Sequence, residues 1–427
     1  MPTPLYSALV NHRNLRRASF HTPGHKNSPA ALPSDLYSLD FTELPDTGSL
    51  YDGTGPIPAA EKLAAELFGT ARTCLSAGGC TLCIQAMLRL AAPRGGNVLC
   101  SRVIHRSAVN AMALLGIQPV WAMPGDVVSA VRKAGSICAV YVTSPNYYGQ
   151  LLDIPAIAAA CREKGVPLLV DCAHGTHLMF TEPNLHPLTF GAAMTADSAH
   201  KTLGVLTGGA WLNIADARFA PDAKSAMALF GSTSPGFPVL ASLDLAQEWL
   251  GTHPGAYGPL QRKVSEIRKS ALSRGITLPK GPCDPTRITL DMSQIGLTGT
   301  QAAERFRAAG VEPEYADGAY AVLIATPFNT DEDFERLRRA VAALPAGRPL
   351  RRKTGFPPLP PAAAGLRESL LAETETVELS QAAGRVAAEA ACPCPPGVPA
   401  VMPGERITPE TAEFLCRYGF LTIKVLK

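Results

Sequence analysis

The sequence lacks a hydrophobic run long enough to cross a membrane, and it lacks a strong excess of one charge. No stretch approaches the ~18–20 apolar residues that a membrane helix requires. Its 39 Lys and Arg residues nearly balance its 36 Asp and Glu residues, which leaves a formal net charge of +3. A nucleic-acid binder that works by bulk charge needs a much larger basic excess. We therefore expect neither a membrane nor a nucleic acid among its partners.

A secretory signal is also missing. Residues 1–20 mix Asn, His and Arg with apolar residues, and they contain no apolar core of ~7–15 residues. We therefore expect a cytoplasmic chain whose eleven cysteines are free thiols. The pairs Cys80/Cys83 and Cys392/Cys394 have no second pair of ligands at a suitable spacing, so no metal site is predicted.

The composition is that of a large globular protein. At 427 residues the chain exceeds the size at which one core stops growing, ~250–300 residues. Apolar residues make up 46% of it, and charged residues only 18%. The 37 glycines and 38 prolines indicate many turns. We expect two or three domains.

Short apolar strands alternate with amphipathic helices over much of the chain. A helical spacing begins at Ala59 and ends at Gly69. The predicted strands that follow are 98–100, 119–122, 137–142, 167–170 and one near 209–212, and the predicted helices are 107–115 and 155–164. This alternation predicts an α/β fold with a mostly parallel sheet that is covered by helices on both faces.

A second, shorter alternation covers residues 287–344, after a long helix-compatible stretch at 243–274 that only Pro254 and Pro259 interrupt. It predicts a smaller α/β domain. The predicted division of the chain is an N-terminal arm (1–58), a large domain (59–250), a small α/β domain (251–345) and a linker with a C-terminal domain (346–427).

One lysine stands in a segment that suits cofactor chemistry. Lys201 lies in the sequence Ser-Ala-His-Lys-Thr at residues 198–202. A lysine amine can form a Schiff base with an aldehyde cofactor such as pyridoxal phosphate, and Ser198 and His200 could donate hydrogen bonds to its phosphate. A single lysine on a turn is more often an ordinary surface residue, so the neighbouring motifs must decide.

An aspartate follows the buried strand 167–170. Asp171 would then lie at the carboxyl end of a parallel strand, where α/β proteins bind ligands. There it can pair with the pyridine nitrogen and so make the ring an electron sink. His174 and His177 also follow, at a spacing of three, but no HExxH arrangement supports zinc binding.

Two further features fit the same ligand. The glycine turn at residues 76–81 opens a helix, and a helix N-terminus suits a phosphate group. It matches neither the P-loop nor the dinucleotide fingerprint, so an ordinary turn explains it equally well. His105 follows a short strand and could stack on a planar ring.

The order glycine turn, histidine, aspartate, lysine is the order found in fold-type I pyridoxal-phosphate enzymes. Here the sequence resembles the Orn/Lys/Arg decarboxylase family, in its short form without an N-terminal wing domain. The matching segments, which span nearly the whole chain, are 21–26, 40–44, 55–57, 105–107, 143–149, 171–175, 198–202, 233–235, 241–244, 284–287, 395–399 and 403–405. The resemblance implies a mostly parallel large domain, a smaller α/β domain and a short C-terminal domain.

The resemblance also implies roles for individual residues. Lys201 would carry the Schiff base, Asp171 would pair with the pyridine nitrogen, and His105 would stack on the ring. His174 or Lys201 would be the proton donor. The residues that the resemblance assigns to the rest of the cofactor site are Gly79, Cys80, Thr81, Ala173, Ser198 and His200. Thr233 and Ser234 would reach the cofactor phosphate of a neighbouring subunit, which implies a homodimer or a larger homo-oligomer.

The implied reaction is α-decarboxylation of lysine, ornithine or arginine to an amine and CO2, in polyamine metabolism. Two residues depart from the family pattern: Cys80 replaces a hydroxyl residue, and Cys172 replaces a glutamate. The implied substrate is a small molecule, an amino acid whose cationic side chain needs an acidic partner. The candidates for that partner are Glu43, Asp46, Asp52 and Glu314.

Two other functions stay open at this point. One is an aminotransferase or lyase with the same cofactor, in which Arg287 could grip the substrate carboxylate. The other is a catalytically silent homologue that only binds the cofactor. The sequence does not choose among the three basic amino acids.

Overall fold

The computed structural model describes residues 10–350, 355–395 and 397–427. Residues 1–9 of the predicted arm, residues 351–354 of the predicted linker and Pro396 of the 395–399 motif lie outside the described residues. The four-part division of the chain stays a prediction.

Strands and helices alternate along most of the chain. The strands are β1 (Ala18–Phe20), β2 (Arg72–Ser76), β3 (Gly96–Ser101), β4 (Ile117–Ala122), β5 (Ala139–Thr143), β6 (Leu168–Asp171), β7 (Met194–Asp197), β8 (Ala210–Ile214), β9 (Arg287–Asp291), β10 (Val311–Pro313), β11 (Tyr315–Ala316), β12 (Tyr320–Ile324), β13 (Thr374–Glu378) and β14 (Thr422–Leu426). The helices are α1 (Ile57–Phe68), α2 (Gly79–Ala91), α3 (Arg106–Leu115), α4 (Val127–Lys133), α5 (Ile154–Lys164), α6 (Ala199–Thr202), α7 (Ala223–Ala228), α8 (Phe237–Thr252), α9 (Tyr257–Ser273), α10 (Gly299–Ala308), α11 (Asp331–Ala342), α12 (Leu366–Leu371) and α13 (Pro409–Arg417).

A seven-stranded sheet with the order β2-β8-β7-β6-β5-β3-β4 forms the centre of the molecule. The pairs from β4 to β7 are parallel, and β8 is antiparallel to both of its neighbours. The predicted α/β fold with a mostly parallel sheet is therefore confirmed. Because parallel strands point the same way, β5, β6 and β7 end at the same edge of the sheet.

Both faces of this sheet are buried under helices. Because successive side chains of a strand point to opposite faces, each strand contributes to the cores on both sides. In β5, Ala139 and Tyr141 pack in the core beside α2 and α3. Val140 and Val142 pack in the core beside α4 and α5. All four residues are 0% exposed.

The stretch predicted to be helix-compatible at 243–274 contains two helices, α8 and α9. The break covers residues 253–256, which include Pro254. Pro259 lies in the first turn of α9, where the missing N–H costs no hydrogen bond.

Smaller sheets complete the fold. β11, β12 and β9 form an antiparallel sheet, β1 pairs in parallel with β10, and β13 pairs with β14. The C-terminal part has its own apolar cluster, which includes Leu379, Phe414 and Leu415. No helix in the described ranges combines the length and the apolar character needed to cross a membrane.

Candidate active site

The ends of β5, β6 and β7 open into a cavity of about 550 Å³. Ten of the predicted site residues line it: Gly79, Cys80, Thr81, His105, Asp171, Ala173, His174, Ser198, His200 and Lys201. These residues come from separate parts of the chain, and the strand ends bring them together. We call Asp171, His174 and Lys201 the strand-end group.

Lys201 lies in the short helix α6, directly after β7. Its Nζ is 3.1 Å from Nε2 of His174. Burial, and then the charge of Lys201, lower the pKa of His174 well below its ordinary value. A neutral His174 can therefore accept a hydrogen bond from the lysine amine.

Asp171 ends β6 and is 2% exposed. Its Oδ1 accepts a hydrogen bond from the N–H of Ala173 at 3.1 Å, and its Oδ2 accepts one from the hydroxyl of Tyr141 at 3.2 Å. Burial raises the pKa of Asp171, and the positive charge of Lys201 opposes that rise. A bound cationic partner would therefore stabilise the carboxylate where it lies.

The thiol of Cys80 lies at the same end of the cavity. Its Sγ is 4.0 Å from Oδ1 of Asp171. Burial raises the pKa of Cys80 well above its ordinary value, so it stays a thiol. In this position the thiol neighbours the aspartate, while the backbone of Cys80 belongs to the first turn of α2.

The glycine turn before α2 provides an anion-binding geometry. Gly79 has φ = +68°, and a Cβ built there would meet nothing closer than Gly208 O at 3.9 Å. The N–H of Gly79 donates to Gly208 O at 2.8 Å, whereas the next N–H groups at the start of an α-helix have no partners within the helix. A phosphate fits this end of the cavity.

His200 and His105 have their rings fixed by local hydrogen bonds. The Nδ1 of His200 donates to Gly209 O at 3.1 Å, and burial lowers its pKa. Its Nε2 must therefore gain a proton before it can donate to a phosphate. The Nδ1 of His105 accepts from the N–H of Ser107 at 3.2 Å and so caps α3. Burial lowers the pKa of His105 as well.

Two buried polar atoms in the cavity lining have no hydrogen-bond partner among the described residues: Nδ1 of His174 and Oγ1 of Thr143. Buried polar atoms are nearly always paired, so such atoms indicate an interaction with a bound molecule. Together with a carboxylate, a lysine amine and an open helix N-terminus, they fit a cofactor with a basic ring, an aldehyde and a phosphate.

Thr233 and Ser234 do not join the cavity of their own chain. Both are exposed at the surface, before α8. Their predicted contact with a neighbouring subunit stays a prediction.

Cys172, which stands where the family pattern has a glutamate, is buried in a polar cluster with His186 and Asp197. Within the parts of the chain that the structure describes, these three are the one group with a metal-ligand arrangement. The Nδ1 of His186 accepts from Leu188 N at 3.4 Å, so its Nε2 carries the proton and donates to Asp197 Oδ1 at 2.8 Å. The histidine and the carboxylate thus satisfy each other.

Several lining residues carried no predicted role. They include Tyr147 and Tyr148, which lie in the 143–149 segment, Tyr315 of β11, and three residues of the C-terminal part. We call these last three, Cys392, Cys394 and Gly397, the tail wall. The family resemblance at residues 143–149 and 395–399 was the sequence feature that could have indicated that these residues line the cavity.

Among the candidate acidic partners, Glu314 lies behind the cavity lining. It accepts hydrogen bonds from Tyr147 Oη at 2.9 Å and from Thr22 N at 2.7 Å. Burial alone would raise the pKa of Glu314, but these hydrogen bonds and the nearby cations hold it below its ordinary value. Glu43, Asp46 and Asp52 do not line the cavity.

The sheet and the cavity at its strand ends define a fold-type I enzyme of the pyridoxal-phosphate class. Serine palmitoyltransferase from Sphingomonas wittichii shares the fold with a TM-score of 0.61 and 16% identity, over 76% of this chain and 85% of that one. The structure of the constitutive lysine decarboxylase of Escherichia coli superposes with a TM-score of 0.75 and 20% identity, over 100% and 82% of the two chains.

Family models narrow this class. The major domain of Orn/Lys/Arg decarboxylases matches residues 3–133 and 126–270, and the C-terminal domain of these enzymes matches residues 356–422. The chain belongs to the Orn/Lys/Arg decarboxylase family. It is 28% identical to an arginine decarboxylase of Bacillus subtilis over 97% of this chain and 93% of the relative. It is 22% identical to the constitutive lysine decarboxylase of E. coli over 96% and 76%.

Proposed function

We propose that this protein catalyses the pyridoxal-phosphate-dependent α-decarboxylation of a basic amino acid, which is lysine, ornithine or arginine. The products are the corresponding amine and CO2, as in polyamine metabolism in the cytoplasm. The observation that carries the proposal is the strand-end group: a lysine amine, a neutral histidine and a buried carboxylate lie on one cavity in a member of this family.

The residues that would hold the cofactor can be grouped by the part of the cofactor that each would contact. Lys201 would bind its aldehyde carbon, Asp171 its ring nitrogen and His105 its ring face, with Ala173 beside them. Gly79, Cys80, Thr81, Ser198 and His200 would surround its phosphate. When bound, pyridoxal phosphate supplies an electron sink for the pair released from the Cα–carboxylate bond.

The protein contributes proton transfer at two atoms. The Lys201 amine must lose a proton to become a nucleophile, and Nε2 of His174 at 3.1 Å can take it. The same histidine, or the lysine, can return a proton to Cα after CO2 leaves. The neighbouring Tyr147 ring packs edge-on against His174, with 4.8 Å between ring centroids, and limits the orientation of the imidazole.

An acidic group behind the lining suits a cationic substrate side chain. Glu314 stays ionised at neutral pH because its pKa is held low. Its negative charge favours an ammonium or guanidinium group on the tyrosine-lined side of the cavity. Arg287, the residue that an aminotransferase would use, is 1% exposed and donates to His174 O at 3.2 Å.

We also infer a homodimer or a larger homo-oligomer. Thr233 and Ser234 are exposed on the segment before α8, where hydroxyl groups can reach a neighbouring subunit. Their family resemblance supports a contact with that subunit's cofactor phosphate.

The test is product analysis. Protein loaded with pyridoxal phosphate is incubated separately with lysine, ornithine and arginine, and the amines are identified by mass spectrometry. Cadaverine, putrescine or agmatine is expected, and none should form with Lys201→Ala. Lys62→Ala, which changes an exposed lysine of α1, is the matched control. If no amine forms although the cofactor is bound to Lys201, the proposed reaction is wrong.

A further inference from the structure

One segment that matches the family pattern has no role in the proposed reaction. Residues 284–287, Asp-Pro-Thr-Arg, lead into β9 of the small antiparallel sheet. Asp284 and Arg287 are both buried, although neither lines the cavity. Charged side chains are rarely buried so completely unless they are paired. The partners of these two residues therefore indicate what the segment does.

Arg287 reaches the turn that carries His174. Its Nη2 donates to the backbone oxygen of His174 at 3.2 Å. The same turn presents Nε2 of His174 to the Lys201 amine at 3.1 Å. The arginine therefore holds the backbone of the residue whose imidazole contacts the lysine.

A second contact joins the same two parts of the chain. Nε2 of His177, which follows the His174 turn, lies 3.0 Å from Oδ1 of Asp284. Burial alone would raise the pKa of Asp284, but His177 and then Arg287 hold it below its ordinary value. The ionised Asp284 faces Arg287, with 3.7 Å between Oδ2 and Nε. Asp284 is therefore the counter-ion of Arg287 and a link to the histidine turn.

The side chain of Arg287 has little freedom to move. Gly149 lies against its stem, and a Cβ built at that glycine would meet Cγ of Arg287 at 2.7 Å. Gly149 O also accepts from Asp284 N at 2.8 Å. The segment of Gly149 carries Tyr147, whose ring packs edge-on against His174. Three segments are thus fixed against one another around this imidazole: 143–149, 174–177 and 284–287.

Charged and titratable groups face the imidazole of His174 from several elements. Burial is the main reason that its pKa is low, and the positive charges of Lys201 and then of Arg287 lower this pKa further. His105, before α3, and His200, in α6, act in the same direction. Tyr147 also contacts the ring, but burial raises the pKa of Tyr147, so it adds no charge.

We propose that Arg287 is a positioning residue for the reaction, with Asp284 as the counter-ion that holds it in place. Through the backbone oxygen of His174 it fixes the turn that aims the imidazole at the Lys201 amine. Its charge favours the neutral imidazole, the form that accepts a hydrogen bond from that amine. This role rests on the decarboxylase function proposed above, and it requires no contact between Arg287 and the substrate.

Steady-state kinetics separate positioning from substrate binding. Protein loaded with pyridoxal phosphate is assayed with whichever of lysine, ornithine and arginine yields an amine. Arg287→Gln should lower kcat by about 10²-fold, the loss that a ~1 Å misplacement of a catalytic group can cause, and should leave KM nearly unchanged. Arg287→Lys should lower kcat by about tenfold, because one ammonium group cannot reach both His174 O and Asp284 as the guanidinium fork does.

The pKa of His174 provides a second measurement that does not depend on turnover. In the same loaded protein, deuterium exchange at the imidazole C2–H is followed against pH and assigned to each histidine by tandem mass spectrometry. In Arg287→Gln the pKa of His174 should rise by about one pH unit, because a nearby positive charge is removed. Arg287→Lys should leave this pKa near that of the parent, because the charge remains.

Two controls distinguish this role from a purely structural one. Arg268 of α9 donates to Asp284 O at 2.6 Å and to Arg287 O at 3.1 Å, so it holds the same segment from the other side. Arg268→Gln should lower the free energy of unfolding and leave the pKa of His174 unchanged. Arg132→Gln removes a surface arginine that pairs with Glu163, and it should match the parent in both measurements.

A pKa of His174 that is the same in the parent and in Arg287→Gln would overturn the proposal. An Arg287→Gln variant with a raised KM and an unchanged kcat would also overturn it, because that result assigns Arg287 to substrate binding. If Arg287→Gln does not fold, Arg287→Lys decides, and a kcat equal to that of the parent contradicts the positioning role.

The two measurements also separate this proposal from the proposed function. A protein in which Arg287→Gln raises the pKa of His174, but which makes no amine, would contradict the decarboxylase function alone. A protein that makes the amine, but whose His174 does not respond to Arg287, would contradict the positioning role alone.

Discussion

The two sides of the cavity are built by different means. The strand-end group is placed by the register of a buried sheet, in which Asp171 of β6 pairs with Ala196 of β7 just before α6 begins. The tail wall comes from a loop of the C-terminal part. That loop is fixed to the sheet through the buried pair of Arg102 and Glu405.

The two sides of the cavity also differ in their titratable groups. All nine histidines precede residue 254, and the tail wall contributes thiols instead. Burial lowers the pKa values of His174 and His200 and so favours their neutral forms, whereas Cys394 in the tail wall is exposed. We therefore assign the chemistry to the buried strand-end side of the cavity and the entry of the substrate to the exposed tail wall. Both assignments can be tested.

The largest effect is expected at Lys201. Lys201→Ala should abolish turnover, because it removes the amine that binds the cofactor and exchanges its proton with His174. Borohydride reduction followed by peptide mass spectrometry should find the cofactor on Lys201 in the parent protein and no covalent cofactor in the variant. An active variant would break the assignment of the chemistry to the strand ends.

The next largest effect on turnover, after that of Lys201→Ala, is expected at His174. His174→Gln keeps a hydrogen-bonding group beside Lys201 but cannot transfer a proton, so kcat should fall by about 10²–10⁴-fold, the usual contribution of general acid–base catalysis. The covalent cofactor should remain, which distinguishes this variant from Lys201→Ala. His253→Gln, an exposed histidine after α8, serves as the control. A kcat close to that of the parent would contradict the role of His174.

The anchor of the tail wall can be broken separately. Arg102 is 0% exposed, and both of its terminal nitrogens lie 2.6 Å from the oxygens of Glu405. Its Nε also donates to Pro399 O at 2.9 Å. Glu405→Gln leaves the buried guanidinium without its counter-charge, so the free energy of unfolding should fall by about 3–5 kcal/mol.

Denaturant unfolding measures this loss, with Glu163→Gln as the control. Glu163 pairs with Arg132 at the surface at 3.1 Å, and exposed pairs contribute little. If Glu405→Gln is as stable as the control, the tail wall is not held by this pair, and the contrast between the two sides of the cavity loses its structural basis.

The strand-end side was largely predictable from the sequence. The apolar run before Asp171 indicated a buried strand, and the rule that ligands bind at the carboxyl ends of such strands then placed the aspartate. Strand β7 was not predicted, because Thr195 and Asp197 interrupt its apolar pattern. Their burial depends on tertiary partners, since His186 and Asn213 donate to Asp197 at 2.8 and 3.0 Å.

The tail wall could not be placed from local pattern. Cys392 and Cys394 were considered only as metal ligands, because their position depends on an ion pair between residues 303 positions apart in the chain. Strand β1 was missed for a related reason: three residues are too short to show alternation, and β1 exists because β10 pairs with it. Long-range contacts, rather than local sequence propensity, determine the position of the tail wall and the formation of β1.

The smallest expected effect concerns stability and pH, and it tests the buried histidines. Burial lowers the pKa of His25 to about 4, and it lowers the pKa values of His174 and His200 below their ordinary value. Between those values and pH ~6.5 the unfolded chain binds protons that the folded chain does not. Stability should therefore be fully present above pH ~6.5 and decline as the pH falls towards 4, by at most about 1.4 kcal/mol per pH unit for each such proton. Thermal unfolding of the cofactor-free protein at pH 7, 6 and 5 measures this slope. His174→Gln should flatten this slope, and His253→Gln, at an exposed position after α8, should not. A slope that is unchanged in His174→Gln would contradict the assignment of the acid sensitivity to the buried histidines.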